Sequence, residues 1–366
     1  MKVIIAAAGT AGHINPGLSI ANKIKEEQPD SKIIFIGTKR GLENDLVPRA
    51  GYELKTIEAY GLTTKNITKV FKILNGFKQA KKIIKEFKPD IVIGTGGYIC
   101  GAVITEAQKQ AIPTLLHESN AFPGRAVKML AKKTDTILVA FEDAKGRIEN
   151  AKNVVVTGTP TKINKLNISV DEKNKIIKNL GLDINKPILL VFGGSQGAKA
   201  INDAIVKIVK ENKVKKYQMI WAPGPKQYDI IKDELKTSNI DIENIDNIKV
   251  YPYIYNMEEI MNIADLLICR SGAITVTEAC KVGKAAIFVP LPGVSQNHQE
   301  YNARALEKIG AAKIILNSDL DKTDLSTYIE NIILDKKLIK SMEEKAISMS
   351  LENVEDKIYE EIKKLV

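Results

Sequence analysis

The chain has few aromatic side chains and almost no tryptophan, histidine or cysteine. Aromatics are 5% of its 366 residues, and Trp221 is the sole tryptophan. Extended stacking platforms for single strands need more than that, so no nucleic-acid partner is expected. The three cysteines, Cys100, Cys269 and Cys280, are scattered and form no Cys-x-x-Cys pair. This argues against a disulfide framework or a zinc centre and points to a reduced, cytosolic setting. His13, His117 and His298 lie far apart, with no metal-ligand spacing, so no metal is expected. Long apolar runs are also missing. Seven small or apolar residues precede Gly9, too few to span a bilayer and better read as a buried first strand than as a signal-peptide core. Neither Gly-x-Gly-x-x-Gly with a ribose-binding acid after the second strand nor a Gly-Lys-Ser/Thr ending occurs at the Gly-rich turns. Dinucleotide and P-loop sites are therefore not expected, and no cofactor is called for.

A 44% hydrophobic content is enough for a real core, and the length fits about two to three domains. The formal charge of +10 is unevenly placed. Residues 1–161 carry 24 basic and 15 acidic side chains, whereas residues 162–366 carry 30 and 29. Between Lys65 and Lys88 there are eight lysines and one acid, Glu86.

Short, almost uniformly apolar runs recur at Val3–Ala8, Lys32–Ile36, Ile91–Ile93, Thr114–Leu116, Thr136–Ala140 and Val154–Val156. They recur again at Ile188–Phe192, Gln218–Trp221, Ile248–Tyr251, Leu266–Ile268, Ala286–Val289 and Lys313–Leu316. Such runs read as parallel strands buried on both faces, and their alternation with helical segments reads as βαβ units. The halves look alike, because each first strand enters a Gly-rich turn, Gly9-Thr10-Ala11-Gly12-His13 or Gly193-Gly194-Ser195-Gln196-Gly197. Two doubly wound domains are expected, divided near Thr159–Asn167.

Both turns suit a phosphate or polar substrate, because a helix N-terminus offers unpaired N–H groups and a positive dipole end; a plain tight turn is the alternative. The three histidines are read into polar loops after strands, where α/β sites form. In Arg270-Ser271-Gly272-Ala273-Ile274-Thr275-Val276-Thr277-Glu278 a strand again meets a helix start. Glu278 there is either a bidentate acceptor for ribose hydroxyls or a surface acid favoured by the helix dipole. The loop Pro290 to Asn302, with Gln296, Asn297, His298 and Gln299, is rich in groups suited to a polyhydroxylated ligand. In the basic window Ile67, Phe71, Leu74 and Phe77 share one helical face, interleaved with Lys65, Lys69, Lys72, Lys78, Lys81 and Lys82. That pattern fits an anionic membrane surface or an ordinary core-facing helix, and Asn75-Gly76 weakens it as one continuous helix.

Together these blocks resemble the MurG family of peptidoglycan N-acetylglucosaminyltransferases, in glycosyltransferase family 28. The matching residues are Gly9-Thr10, Gly12-His13, Pro16-Gly17-Leu18, Gly94, Gly96-Gly97-Tyr98, and His117-Glu118 with Asn120. In the second half they are Gly193 to Ala198, Arg270 to Ala273 with Thr275 and Glu278, and Gln299 with Asn302-Ala303. The resemblance implies a GT-B fold of two Rossmann-like domains facing a central cleft. Residues 1–161 would form the acceptor and membrane-docking domain, with 349–366 packing back on it, and residues 162–348 the donor domain. It implies inverting transfer of GlcNAc from UDP-GlcNAc to the muramoyl 4-hydroxyl of lipid I, giving lipid II, without a metal. The base would be His13 or Glu118. Thr10, Ala11 and Gly12 would lie on the acceptor side, and Asn120 would reach the donor sugar. The Ile254 backbone would meet uracil and Glu278 the ribose. Ser195 and the helix start around Ala273–Val276, continuing to Thr277, would hold the diphosphate, and Gln299 and His298 the sugar. The implied location is peripheral, on the cytoplasmic side of the cell membrane, with anionic lipid as a partner and room for other cell-wall synthesis proteins. Ala8 and Ala11 replace family glycines, Ser119 replaces a glutamine, and Lys162 replaces an arginine without keeping its bidentate fork. Two other functions use the same features: a UDP-sugar epimerase, and a binding protein without turnover.

Overall fold

A computed structural model describes residues 1–60, 67–194 and 196–366, and their side chains apart from those of 67–71 and 295. The chain divides into two compact units, Met1–Thr161 with Leu351–Val366, and Lys162–Ser350.

The first unit holds β1 (Lys2–Ala7), β2 (Lys32–Gly37), β3 (Glu53–Thr56), β4 (Ile91–Gly96), β5 (Thr114–Glu118), β6 (Thr136–Val139) and β7 (Val154–Val156). All pair in parallel in the order β3-β2-β1-β4-β5-β6-β7. The second unit holds β8 (Ile188–Phe192), β9 (Gln218–Ala222), β10 (Ile248–Val250), β11 (Leu266–Cys269), β12 (Ala285–Phe288) and β13 (Ala312–Ile314). Their order, β10-β9-β8-β11-β12-β13, repeats the same winding, again wholly parallel. In each sheet the winding reverses beside the first strand, at β1/β4 and β8/β11, and ligands of such sheets bind beyond the strand ends there.

The central strands are apolar throughout because helices cover both faces. Val3, Ile4, Ile5, Ile91, Val92 and Ile93 are fully buried, as are Ile188, Leu189, Leu190 and Val191. The strand absent from the sequence-derived set is β3. Its Glu-Leu-Lys-Thr alternates exposed and half-buried positions at the sheet edge, so no apolar run marks it. The helix Val354–Lys363 belongs to the first unit. It buries Val354, Ile358 and Ile362 in the core cluster that contains Ile14, Leu18 and Ile24. Lys23 ties its outer face at 2.6 Å from Asp356.

Of the basic window, Ile67–Phe87 forms one continuous helix despite Asn75-Gly76, and Lys65 lies outside the described residues. Gly76 is needed there because a side chain would collide with the Glu58 carbonyl, which crosses against the helix. Gln79 and Asn75 then bind Glu58, accepting its N–H at 2.8 Å and donating to its carboxylate at 2.9 Å. Leu74 is 55% exposed, and Lys72, Lys78, Lys81 and Lys82 are exposed too. Phe77 departs from that exposed group: it packs against the core with Ile83 and Phe87, with the Lys109 ammonium over its ring. The side chains of Ile67, Lys69 and Phe71 lie outside the described residues. No described helix is long and apolar enough to cross a membrane.

Candidate functional sites at the carboxyl ends of the two sheets

In the first unit β1 ends in the turn Ala8-Gly9-Thr10, and the helix Ala11–Glu27 starts at once. Thr10 is the N-cap residue but makes no capping bond, and no acid sits in the first turn. The helix start is therefore open to an anion. His13 stands in that first turn. Its Nδ1 lies 3.1 Å from the Ala8 carbonyl, and its own carbonyl accepts the Thr95 hydroxyl at 2.7 Å. A carbonyl can only accept, so Nδ1 donates to it, and in the neutral form of the ring the lone pair is then on Nε2. The ring lies against Gly96, at φ +128°, where any side chain would strike it. Gly96-Gly97 thus makes room for His13. Thr10 is exposed, and Ala11 and Gly12 are half-buried. The Ala8 methyl, one of the two extra methyl groups, points into the core rather than toward the turn's open side.

At the end of β5 the two polar neighbours separate in role. Glu118 accepts the Asn120 N–H and side-chain amide on one oxygen, both at 2.9 Å, and the Gly124 N–H on the other at 2.7 Å. Its carboxylate closes the loop that carries Asn120. His117 is not in a loop but within β5, fully buried. Its Nε2 donates to the Gly158 carbonyl at 2.9 Å, and Ser119 Oγ lies 3.4 Å from Nδ1. Burial pushes its pKa down to about 4, the Gly158 bond opposing only in part. His117 is a neutral structural histidine, and Ser119, at the departure from the family's glutamine, supports it.

In the second unit β11 leads through Arg270-Ser271-Gly272 into the helix Ala273–Val282, again without a side-chain cap or a first-turn acid. Ile274, Thr275, Thr277 and Glu278 are half-buried, whereas Ala273 and Val276 turn their side chains into the core and can offer a ligand only backbone. Ile254, just after β10, is likewise buried, so backbone is what it can present. The neighbouring motif residues stitch the strand ends together. Arg270 donates to the Val289 and Pro290 carbonyls and to Asn317, at 2.9, 3.2 and 2.9 Å. Burial lowers its pKa. Ser271 donates to the Gln299 carbonyl at 2.8 Å, and Asn302 donates to the Ser271 carbonyl at 3.1 Å. Gln299 accepts the Leu291 N–H at 3.0 Å through Oε1, which leaves Nε2 as its donor. His298 begins the following helix, His298–Lys308, half-buried beside it. At the opposite side of the switch point the Gly193–Gly197 turn precedes the helix Lys199–Lys210, whose N-cap, Ala198, also caps nothing. Ser195 lies outside the described residues. Lys162 is exposed in the entry segment, which Glu258 and Asn262 hold through Asn164 and Leu166.

The fold and these open helix starts define the class of GT-B glycosyltransferases, in which a nucleotide-sugar site is built on parallel strand ends. Family models for the glycosyltransferase family 28 N-terminal domain and C-terminal domain match residues 3–139 and 188–358. A curated relative from Caldanaerobacter subterraneus subsp. tengcongensis is 42% identical over 367 residues, 99% of either chain. It is named UDP-N-acetylglucosamine--N-acetylmuramyl-(pentapeptide) pyrophosphoryl-undecaprenol N-acetylglucosamine transferase. The crystal structure of MurG from Acinetobacter baumannii matches with a TM-score of 0.80 at 29% identity, over 99% of both chains. A UDP-GlcNAc 2-epimerase from Neisseria meningitidis matches at 0.63 and 14% identity over 100% of both chains, which shows the fold alone. The chain belongs to glycosyltransferase family 28, on its MurG branch.

Glu43 is absent from the sequence-derived candidates, although it is fully buried against the Gly9 turn. The Gly41-Leu42-Glu43 step after β2 is the signal that could have pointed to it. His117, buried in β5, gives a test of the first sheet's frame. The folded state keeps it neutral while the unfolded chain, with an ordinary value near 6.5, takes up a proton. Stability is then complete above that value and falls as pH drops from about 6.5 toward 4, by roughly 3 kcal/mol over the window. Chemical denaturation across this range should show that loss, and His117→Gln should flatten it while lowering stability at pH 7.

Proposed function

We propose that the chain transfers GlcNAc from UDP-GlcNAc to the 4-hydroxyl of the muramoyl sugar of lipid I, with inversion, forming lipid II. The observation that carries this reading is the 42% identity, over essentially the whole chain, to a transferase named for that reaction. The epimerase reading has only a fold-level likeness behind it.

The residues divide the work as follows. The hydroxyl attacks the anomeric carbon, its proton leaves to His13 Nε2, and the bond to the UDP oxygen breaks. His13 is the base because its Nδ1 proton is held by the Ala8 carbonyl, which fixes the tautomer that a base needs. Glu118 is the rival, but its oxygens accept three N–H donors from Asn120 and Gly124, which commits the carboxylate to holding the Asn120 loop. Charge developing on the diphosphate is taken up by the N–H groups of Ala273, Ile274 and Thr275 at the open helix start, and by Ser195, as the family resemblance implies. Glu278 receives the ribose hydroxyls and the Ile254 backbone the uracil. Gln299, through Nε2, and His298 read the sugar hydroxyls. The exposed Lys72, Lys78, Lys81 and Lys82, with Leu74 among them, dock the first unit on the cytoplasmic face of an anionic membrane.

Labelled UDP-GlcNAc with a lipid I analogue should give labelled disaccharide-lipid. His13→Ala should lower kcat by about 10²–10⁴-fold while leaving UDP-GlcNAc affinity close to wild type. ManNAc and UDP without acceptor would instead mark an epimerase, and binding without turnover a non-catalytic protein. Changing Lys72, Lys78, Lys81 and Lys82 to glutamine should weaken binding to phosphatidylglycerol vesicles by about fivefold per charge at low salt. Unchanged, salt-independent vesicle binding would reject that surface.

A further inference from the structure

Glu43 is a fully buried carboxylate with no part in the steps above. Its Oε2 accepts the Gly9 N–H at 3.0 Å, and its Oε1 accepts the Thr38 N–H at 2.9 Å and the Thr38 hydroxyl at 2.7 Å. The Leu42 N–H returns to the Gly9 carbonyl at 3.4 Å, so both polar groups of Gly9 are held by the segment after β2. Burial pushes the Glu43 carboxyl upward, but the bonds from Gly9 and Thr38 outweigh it and hold the group below its ordinary value. It is therefore ionised at neutral pH. The space around it is specific: a side chain at Gly41 would collide with Oε2, and one at Gly37 would lie 2.6 Å from Cγ.

The Gly9 N–H and the Ala8 carbonyl are two ends of one planar peptide group. Glu43 grips one end at 3.0 Å, and His13 Nδ1 meets the other at 3.1 Å. A carboxylate pulling on the N–H fixes the plane and polarises the carbonyl, which becomes a better acceptor for the imidazole proton. We propose that Glu43 is a positioning residue for His13, acting through the Ala8–Gly9 peptide as a carboxylate would act on a histidine directly. This rests on the reading of His13 as the base.

The test is steady-state kinetics of the full chain with UDP-GlcNAc and a lipid I analogue. Glu43→Gln keeps the shape but sets an amide N–H against a backbone donor. It should lower kcat by about tenfold to hundredfold, as a misplaced base does, with the UDP-GlcNAc KM within about twofold of wild type. In a His13→Ala background the same substitution should change kcat by less than about twofold, because both act through one relay. If Glu43→Gln does not fold, Gly41→Ala, whose methyl displaces Oε2, gives the same readouts. A folded variant with wild-type kcat overturns the proposal. So does an equal loss in both backgrounds, which is the signature of a merely structural carboxylate. Wild-type turnover in His13→Ala alone removes the base assignment, and the relay with it.

Discussion

A parallel sheet imposes a direction on everything attached to it. Each crossover helix returns toward the start of the next strand, so its N-terminus, with its unpaired N–H groups, begins at the carboxyl edge of the sheet. Proteins usually satisfy those donors with a side chain worth about 1 kcal/mol. This chain does so at some helices: Ser169 and Glu172 form a capping box, and Asp324 and Asp335 cap the helices Leu325–Ile333 and Lys336–Ser348, whereas others, such as Ile99–Lys109, Pro225–Thr237 and Met257–Ile263, have no side-chain cap. At the Gly-rich strand ends Thr10, Ala198 and Gly272 likewise make no side-chain cap. A capping carboxylate there would compete with an anionic ligand. Leaving the donors open costs some stability and keeps the positive end of each helix available for phosphate.

Several buried and half-buried polar groups hold the carboxyl edge of each sheet in shape. Glu118 closes the Asn120 loop, His117 ties β5 to Gly158, and Arg270 joins the ends of β11 and β12 to Asn317. Each is satisfied by named partners, as burial demands. His117 in particular stays neutral, because burial holds its pKa at about 4. The three thiols are inert as well: burial raises all of them, Cys100 and Cys280 to about 12. The proposed chemistry accordingly falls on His13 and on backbone donors.

The sheets were legible in the sequence because strands covered on both faces leave uninterrupted apolar runs, and all but β3 follow from these. The Gly-rich turns and the helix starts at Ala11 and Ala273 were legible for the same reason, since turn residues follow each run directly. What escaped was long-range. The partners of Glu43 include Gly9, 34 residues away, and no local pattern joins them. Gly76 read as a helix breaker because the Glu58 carbonyl that needs its space is invisible in sequence. Phe77 read with Leu74 on one face, but the core claims the former and not the latter. His117 read as a loop histidine because β5 runs two residues further than its apolar stretch.

In the proposed reaction an uncapped helix start, rather than a charged side chain, receives the diphosphate of the donor. Amide chemical shifts of Ala273, Ile274 and Thr275 test it directly, measured by NMR on labelled protein with and without UDP. Large downfield shifts of these N–H signals are expected with UDP, and little change with uridine, which lacks the phosphates. Equal responses to UDP and uridine, or none to either while UDP is bound, would contradict it.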